Sequence, residues 1–293
     1  MSDQTISWRQ LWNETAARIG SPQARWMCEV ASGFDRDEFL AALDLPATER
    51  AVAHLDAMLA RLEAGEPLQY VLGRWEFRHL DLLVDRRVLI PRPETETVVE
   101  IALRLARSIE PPIVCADLGT GSGAIGLSLA AELPAAGVTV WMTDDSADAL
   151  DVARANAAGI GTVAANVRVA HGDWFEALPA SLRGELSLVV SNPPYVAADD
   201  ERLEAVVREW EPAAALFAGA DGLDAIRRLV ADSPEWLRPG GWLVIEIGST
   251  HGPQVEALLR AAGFDEVAIT ADLAGHDRVA IGRRSVECFD VPR

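Results

Sequence analysis

The sequence predicts an α/β protein, an open doubly wound sheet preceded by a small helical bundle. Three observations carry this. From Ile113 onward, short β-branched apolar runs alternate with stretches of helical spacing. The first such run ends in Gly119-Thr120-Gly121-Ser122-Gly123, a glycine-rich turn opening an apolar helix. Residues from about 5 to 64 instead show helical spacing with few strand signals.

In the bundle, Ser7 caps a helix carrying Trp8, Leu11, Trp12 and Ile19, which Gly20 ends. Ser21-Pro22 reads as an N-cap followed by a proline at the first helical position, and Gly33 closes that helix. Asp35 starts a third helix with Phe39, Leu40 and Leu43. A fourth, after Pro46, sets Val52, Leu55, Met58, Leu59 and Leu62 on one stripe before Gly65. His54 is a surface residue, not a ligand. Such a bundle ahead of a catalytic domain reads as a module for docking a partner or covering a site.

Gly65–Gly73, Trp75-Glu76-Phe77 and Leu80–Val84 read as a β-hairpin connection around Arg78-His79. Val88–Glu96 is a proline-braced turn leading into a helix with Val98, Val99, Ile101, Ala102 and Leu105. Arg92 and Glu94 take structural roles at the mouth of the site. Strands are expected at Ile113–Asp117, Val138–Thr143, Val167–Ala170, Leu186–Ser191, Trp242–Ile247, Val267–Thr270 and Val279–Ile281. Helices fall near Ala124–Glu132, Ser146–Ala157, Asp200–Glu209, Gly222–Pro234 and Pro253–Ala262. Gly240-Gly241 makes a turn before the fifth strand. The domain boundaries are 1–74 for the bundle, 75–92 for the hairpin linker, 93–284 for the catalytic domain and 285–293 for a tail.

Composition narrows the function. With 49% hydrophobic and 24% charged residues, the chain reads as a soluble globular protein. It shows neither a membrane span nor a signal peptide, so the expected compartment is the cytoplasm. All 26 basic residues are arginine, and the net charge of −19 repels phosphate backbones. A protein partner with a basic face fits better than nucleic acid. Cys28, Cys115 and Cys288 lack metal or disulfide spacing and read as ordinary thiols.

The chemistry centres on Ser191-Asn192-Pro193-Pro194-Tyr195, which follows the apolar run Leu186–Val190. Two consecutive prolines cannot continue a strand. Asn192 and Pro193 therefore sit rigidly at the strand's carboxyl end, where open α/β sheets bind ligands. The Asn192 side-chain oxygen and the Pro193 carbonyl form a stiff acceptor pair for an NH2 group. Tyr195 adds a flat aromatic surface beside them.

Earlier strand ends supply the rest. The backbone N–H groups of Gly119, Thr120, Gly121, Ser122 and Gly123 are expected to face an anion. Asp144, first past its strand, offers a carboxylate to ribose hydroxyls, with Asp145 as the alternative or as the start of a helix cap. Asp173 offers an acceptor to an adenine amino group, and Trp174 an aromatic wall. A hydride-transfer enzyme could use the same sheet, yet it would not explain an acceptor pair at the fourth strand end. The set points to S-adenosylmethionine and transfer to a planar nitrogen.

With these residues in place, the chain resembles the protein-(glutamine-N5) methyltransferases of the HemK/PrmC type, which methylate peptide chain release factors. The resemblance runs from the bundle to about Arg283. It rests on Gly65–Gly73, Val88–Glu96, Asp117–Ala124, Ser191–Tyr195, Asp221-Gly222-Leu223, Glu246-Ile247-Gly248 and Asp272–Arg278. Asn-Pro-Pro-Tyr alone is shared with adenine and guanine amino-methyltransferases; the proline-braced turn and the bundle are more specific. The resemblance implies a Rossmann-like S-adenosylmethionine-dependent sheet of seven strands with the last antiparallel; a monomer is the expected state, which the sequence itself does not decide. It implies as substrate the glutamine of a release factor's Gly-Gly-Gln motif, with N5-methylation serving translation termination. Gly119–Gly123 match the cofactor turn, Asp144 the ribose acid, Trp174 the adenine-side aromatic and Asn192–Tyr195 the glutamine site. Two departures stand out: a slightly long connection through Leu133–Gly137, and His251 where the family often has glutamine. Two rivals remain: an amino-methyltransferase of DNA or RNA, and a non-catalytic adaptor that keeps the fold.

Overall fold

The computed structural model describes residues 6–286. Cys288 and most of the expected tail lie outside the described residues. The chain divides into two compact units, Met1–Arg74 and Trp75–Arg293.

The first unit contains α1 (Trp8–Ile19), α2 (Ser21–Ser32), α3 (Arg36–Ala41), α4 (Glu49–Glu63) and α5 (Leu68–Leu72). Ser7 and Asp35 cap α1 and α3 through reciprocal boxes with Gln10 and Glu38. Gly20, not Ser21, is the N-cap of α2, so Ser21 already lies within the helix. The core is Trp8, Met27, Phe39, Leu55, Met58 and Leu59, with the Trp8 ring edge-on to Phe39 at 5.8 Å. His54 is exposed. Part of the expected hairpin stretch is helical: Pro67 opens α5 and the left-handed Gly73 ends it.

The strands of the hairpin are β1 (Arg74–Phe77) and β2 (Leu80–Leu83). Arg78 turns between them at φ 53° and forks onto Glu132 at 2.6 and 2.8 Å. The second unit continues with α6 (Thr95–Ala106), β3 (Ile113–Leu118), α7 (Ala124–Glu132), β4 (Val138–Asp144), α8 (Ala147–Gly159), β5 (Val167–His171) and β6 (Leu186–Ser191). It ends with α9 (Ala205–Trp210), α10 (Asp224–Trp236), β7 (Leu237–Glu246), α11 (Gly252–Ala261), β8 (Phe264–Ala271) and β9 (Asp277–Arg284).

These strands form one seven-stranded sheet in the order β5-β4-β3-β6-β7-β9-β8, with β9 antiparallel to both neighbours. The sequence-based expectation of seven strands with the last antiparallel is met. Two details differ. Gly240-Gly241 lies inside β7: pairing slips from Leu186↔Leu237 to Leu188↔Trp242, and a Cβ on Gly241 would meet the Leu186 carbonyl oxygen at 2.8 Å. The helix expected over Asp200–Glu209 is confined to Ala205–Trp210, since Asp200 binds the backbone and guanidinium of Arg202 in a local turn.

Chain order reverses between β3 and β6, the switch point of the sheet. Asp117 pairs across to both Met142 and Val190, and Asp144 pairs with His171. The carboxyl ends of β3, β4, β5 and β6 are therefore level. The glycine turn, Asp144, Asp173 and Asn192–Tyr195 all leave the sheet along this one edge.

Candidate active site

Where β3 ends, the chain must double back tightly into α7, and Gly119, Gly121 and Gly123 all take positive φ. At Gly119 the reason is also steric, because a Cβ there would lie 3.2 Å from the Trp174 ring. Gly126, which the sequence reading passed over, lets α7 press onto β4: its Cβ would lie 2.6 Å from Met142 Cγ.

Three of the five N–H groups of the turn are spent inside the protein. Gly121 N–H donates to Asp144 Oδ2 at 2.9 Å, Thr120 N–H to the Thr143 carbonyl and Gly123 N–H to the Thr120 carbonyl, both at 2.8 Å. The expectation of N–H groups aimed at an anion is thereby corrected for Thr120, Gly121 and Gly123. The acceptors of Thr120 and Gly121 come from the neighbouring strand, where local sequence does not show them, and that of Gly123 from the turn itself.

A cavity of about 200 Å³ opens at this edge. Its walls include Thr95, Gly119–Ser122, Asp144, Asp145, Asp173, Trp174, Asn192 and Pro194. Asp144 accepts from Gly121 N–H and from Ser146 N–H, each at 2.9 Å, and each oxygen keeps further lone pairs for a ligand. Burial raises its carboxyl above the ordinary value, while those two N–H groups hold it down. Asp145 does not cap α8; Ser146 does, accepting from Ala149 N–H at 3.1 Å. The exposed Asp145 therefore faces the cavity as a second acid.

Asp173 lines the cavity as well, but its Oδ2 is occupied by the Arg228 guanidinium. That partner on α10 takes part of the acceptor capacity assigned to Asp173 from sequence. Trp174 follows at φ 47°, a left-handed conformation uncommon for an aromatic residue, which brings its ring against Gly119.

A second cavity, of about 430 Å³, lies beside the first and is lined by Arg92, Asn192, Pro193, Tyr195 and Leu203 among others. Asn192, Leu89 and Ala215 belong to both cavities. Asn192 is thus at the junction, with Pro194 on the first side and Pro193 and Tyr195 on the second. Its Nδ2 donates to Thr95 Oγ1 at 3.3 Å, which leaves Oδ1 as an acceptor. Thr95 in turn donates to Glu246 Oε2 at 2.6 Å, and the Tyr195 hydroxyl to Glu246 Oε1 at 3.1 Å. Burial, with the Glu246 carboxylate close by, pushes the Tyr195 phenol up, so it holds its proton at neutral pH. Thr95 and Glu246 lie in stretches that carry the resemblance, yet the sequence reading gave neither a role. An acid ending an apolar strand was the available signal for Glu246, as it was for Asp144.

Arg92 lines the second cavity and pairs with Glu211, while Glu94 is exposed. His251 lines neither of these cavities but a cleft of about 960 Å³ that also holds Arg278 and shares Tyr195, Val196, Arg202 and Leu203 with the second cavity; its buried Nδ1 has no partner. Cys28 and Cys115 are buried and free, and burial pushes both thiols up to about 12, far from nucleophilic use.

Comparison with known proteins agrees along most of the chain. Residues 105–218 match the family model described as Methyltransferase small domain, and residues 15–73 the one described as PrmC N-terminal domain. A Release factor glutamine methyltransferase of Xylella fastidiosa (strain 9a5c) is 46% identical over 241 residues, covering 82% of this chain and 84% of that protein. One from Burkholderia pseudomallei (strain K96243) is 41% identical over 271 residues, covering 92% and 93%. Among solved structures, the hMettl16 catalytic domain in complex with MAT2A 3′UTR hairpin 1 is 19% identical with a TM-score of 0.56. That match covers 78% of this chain and 81% of that one, a likeness of fold alone.

Proposed function

The chain belongs to the release factor glutamine methyltransferases, and on that footing we propose that it methylates the side-chain nitrogen N5 of a release-factor glutamine with S-adenosylmethionine as donor. The glutamine is that of the Gly-Gly-Gln motif, so the modification serves translation termination. The observation that carries the reading is the position of Asn192 at the junction of two cavities, one for the donor and one for the glutamine.

The first cavity fits a donor that is cationic and carries no phosphate. Its glycine turn spends the N–H groups of Thr120, Gly121 and Gly123 internally, and Asp144, Asp145 and Asp173 line it. Asp144 would accept from the ribose hydroxyls, Asp173 from the adenine amino group, and Trp174 would cover the ring. When bound, S-adenosylmethionine supplies an electrophilic methyl group on a positively charged sulfur.

The remaining work falls to the chain's own residues. An amide nitrogen is a weak nucleophile, because its lone pair is delocalised into the carbonyl. Asn192 Oδ1 and the Pro193 carbonyl accept its two N–H groups and aim the nitrogen across the junction. As positive charge builds on that nitrogen, both acceptors stabilise it without having to reorganise. Holding reacting groups in such a geometry is worth ~7–11 kcal/mol in favourable cases. Pro193 and Pro194 keep the acceptors stiff. Tyr195 packs beside the amide plane; it keeps its own proton, and the surplus proton leaves to water after transfer.

A net charge of −19 opposes the nucleic-acid alternative. Residues 1–74 serve as the docking module for the release factor. The protein acts as a monomer in the cytoplasm, where release factors work. Among the described residues, no helix is long and apolar enough to cross a membrane.

The test is Asn192→Ala, assayed by mass spectrometry of a purified release factor and by calorimetry with S-adenosylmethionine. Methyl transfer should be abolished while donor binding persists. Near-normal turnover would remove the basis of this reading.

A further inference from the structure

We propose that Glu246 is a positioning residue for methyl transfer, setting through Thr95 which end of the Asn192 amide faces the substrate. The inference rests on the reading of Asn192 as the acceptor at the cavity junction. Glu246 ends β7 with no exposed surface, and each of its oxygens meets a different hydroxyl.

A carboxylate has no proton to give, so it accepts at both oxygens. The single Thr95 hydroxyl proton therefore points to Glu246 Oε2, 2.6 Å away, and only Thr95 lone pairs remain for Asn192. Of the two ends of the Asn192 amide, only NH2 can satisfy those lone pairs, and this is the 3.3 Å contact observed. The carbonyl end is then the one left for a substrate amide. Without this constraint the amide could rotate and present NH2 to another NH2, a repulsive pairing.

The bonds all run in one direction: substrate N–H to Asn192, Asn192 to Thr95, Thr95 to Glu246. Hydrogen bonds polarised in the same sense strengthen one another in a water-poor interior. The buried negative charge at the far end complements the positive charge that grows on the substrate nitrogen. Burial raises the Glu246 carboxyl above its ordinary value, the hydroxyls of Thr95 and Tyr195 and the charge of Arg278 pull it back down, and the Tyr195 hydroxyl bond holds Oε1 in place. Thr95, first residue of α6, is itself buried, which shields its hydroxyl from bulk water.

The test is a double-mutant cycle on the full chain, with Thr95→Val, Glu246→Gln and their combination. Glutamine at 246 can turn either end of its amide to Thr95, so the direction of the chain is no longer set. Each single variant should lower kcat about 10–100-fold, the range seen when a partner that orients a functional ligand is lost. KM for the release factor and the affinity for S-adenosylmethionine by calorimetry should not change. Thr95→Ser, which restores the hydroxyl, should recover most of the rate. Glu246→Gln should cost clearly less in the Thr95→Val background than alone. Wild-type kcat in either single variant, or equal costs in both backgrounds, overturns the proposal. Should Glu246→Gln fail to fold, the Thr95→Val and Thr95→Ser pair decides the matter alone. Normal turnover by Asn192→Ala would instead strike at the acceptor reading beneath it.

Discussion

The Asn156 side-chain nitrogen donates to the Ser122 carbonyl at 2.8 Å, fastening α8 to the glycine turn. The same side chain exchanges bonds with the backbone of Leu83, accepting at 2.7 Å and donating at 3.1 Å, and is 5% exposed. Asn156→Ala strands the buried Ser122 carbonyl, at about 1–3 kcal/mol when left unmade, and the part-buried backbone groups of Leu83 at less. We expect a loss of roughly 2–4 kcal/mol in urea unfolding, together with weaker S-adenosylmethionine binding. Unchanged donor affinity in a destabilised variant would show that the turn keeps its shape without this tie.

Glu211 plays a similar part on the opposite wall. Its carboxylate, 2% exposed, accepts from the Arg92 guanidinium and from Ile90 N–H at 3.1 Å. It thereby joins the proline-braced turn, which lines both cavities, to the segment that carries Pro212, Ala214 and Ala215. Arg92→Ala leaves a buried carboxylate with one neutral donor. The full cost of breaking a buried pair, about 3–5 kcal/mol, is discounted here because Arg92 is 30% exposed. A loss of about 1–3 kcal/mol is expected, with kcat/KM reduced as well. Arg92→Lys should not recover it fully, since an ammonium is more strongly hydrated than a guanidinium and gives up water less readily beside a buried carboxylate. Full recovery by lysine in thermal unfolding would contradict this account.

How much of this was legible follows from how far apart the partners are in the chain. The sheet was readable because each strand is a local β-branched run, and the acids at its edge because each closes such a run. That Asn192, Pro193 and Pro194 end a strand at this edge needed only the backbone limits of proline. Thr95 and Glu246, by contrast, are separated by 151 residues, and Asn156 is 73 residues from Leu83. No local pattern announces those contacts. The same distance explains the misreading of the glycine turn, where the N–H groups of Thr120 and Gly121 find acceptors on the next strand. Helix α9 was misjudged because Asp200 satisfies the backbone in a turn where spacing alone suggested a helix.

Asp144 has two duties, and a single substitution should expose both. Its carboxylate braces Gly121 and Ser146 through their N–H groups while its remaining lone pairs face the cavity. Asp144→Ala should weaken S-adenosylmethionine binding by at least about tenfold, since hydrogen bonds to a charged group contribute about 1.5–3 kcal/mol each. Asp145→Ala, which leaves the glycine turn braced, should have the smaller effect. Calorimetry on the two variants decides between the acids; a larger loss at Asp145 would transfer the ribose role to it.

Asp117 gives the protein a pH dependence of unusual sign for a carboxylate. It is fully buried on β3, and burial pushes its carboxyl from an ordinary 3.8 up to about 7. The Thr120 hydroxyl at 2.5 Å and Gly126 N–H at 2.8 Å pull the other way, and the charge of Asp144 adds to the effect of burial. Its Oδ1 has no partner. An acid raised in this way holds its proton more tightly folded than unfolded. Between about pH 4 and pH 7 the native state therefore binds more protons than the unfolded chain, and stability from this group falls as pH rises through that window. Above it, the contribution levels off. Asp117→Asn keeps the site neutral at every pH while retaining an oxygen acceptor for Gly126 and Thr120. Relative to wild type, the variant should gain on the order of 1–3 kcal/mol between about pH 5 and pH 8. All other titrating groups are common to both proteins, so the difference in their melting curves isolates Asp117. Parallel curves across that range would mean that Asp117 titrates alike in the folded and unfolded chain.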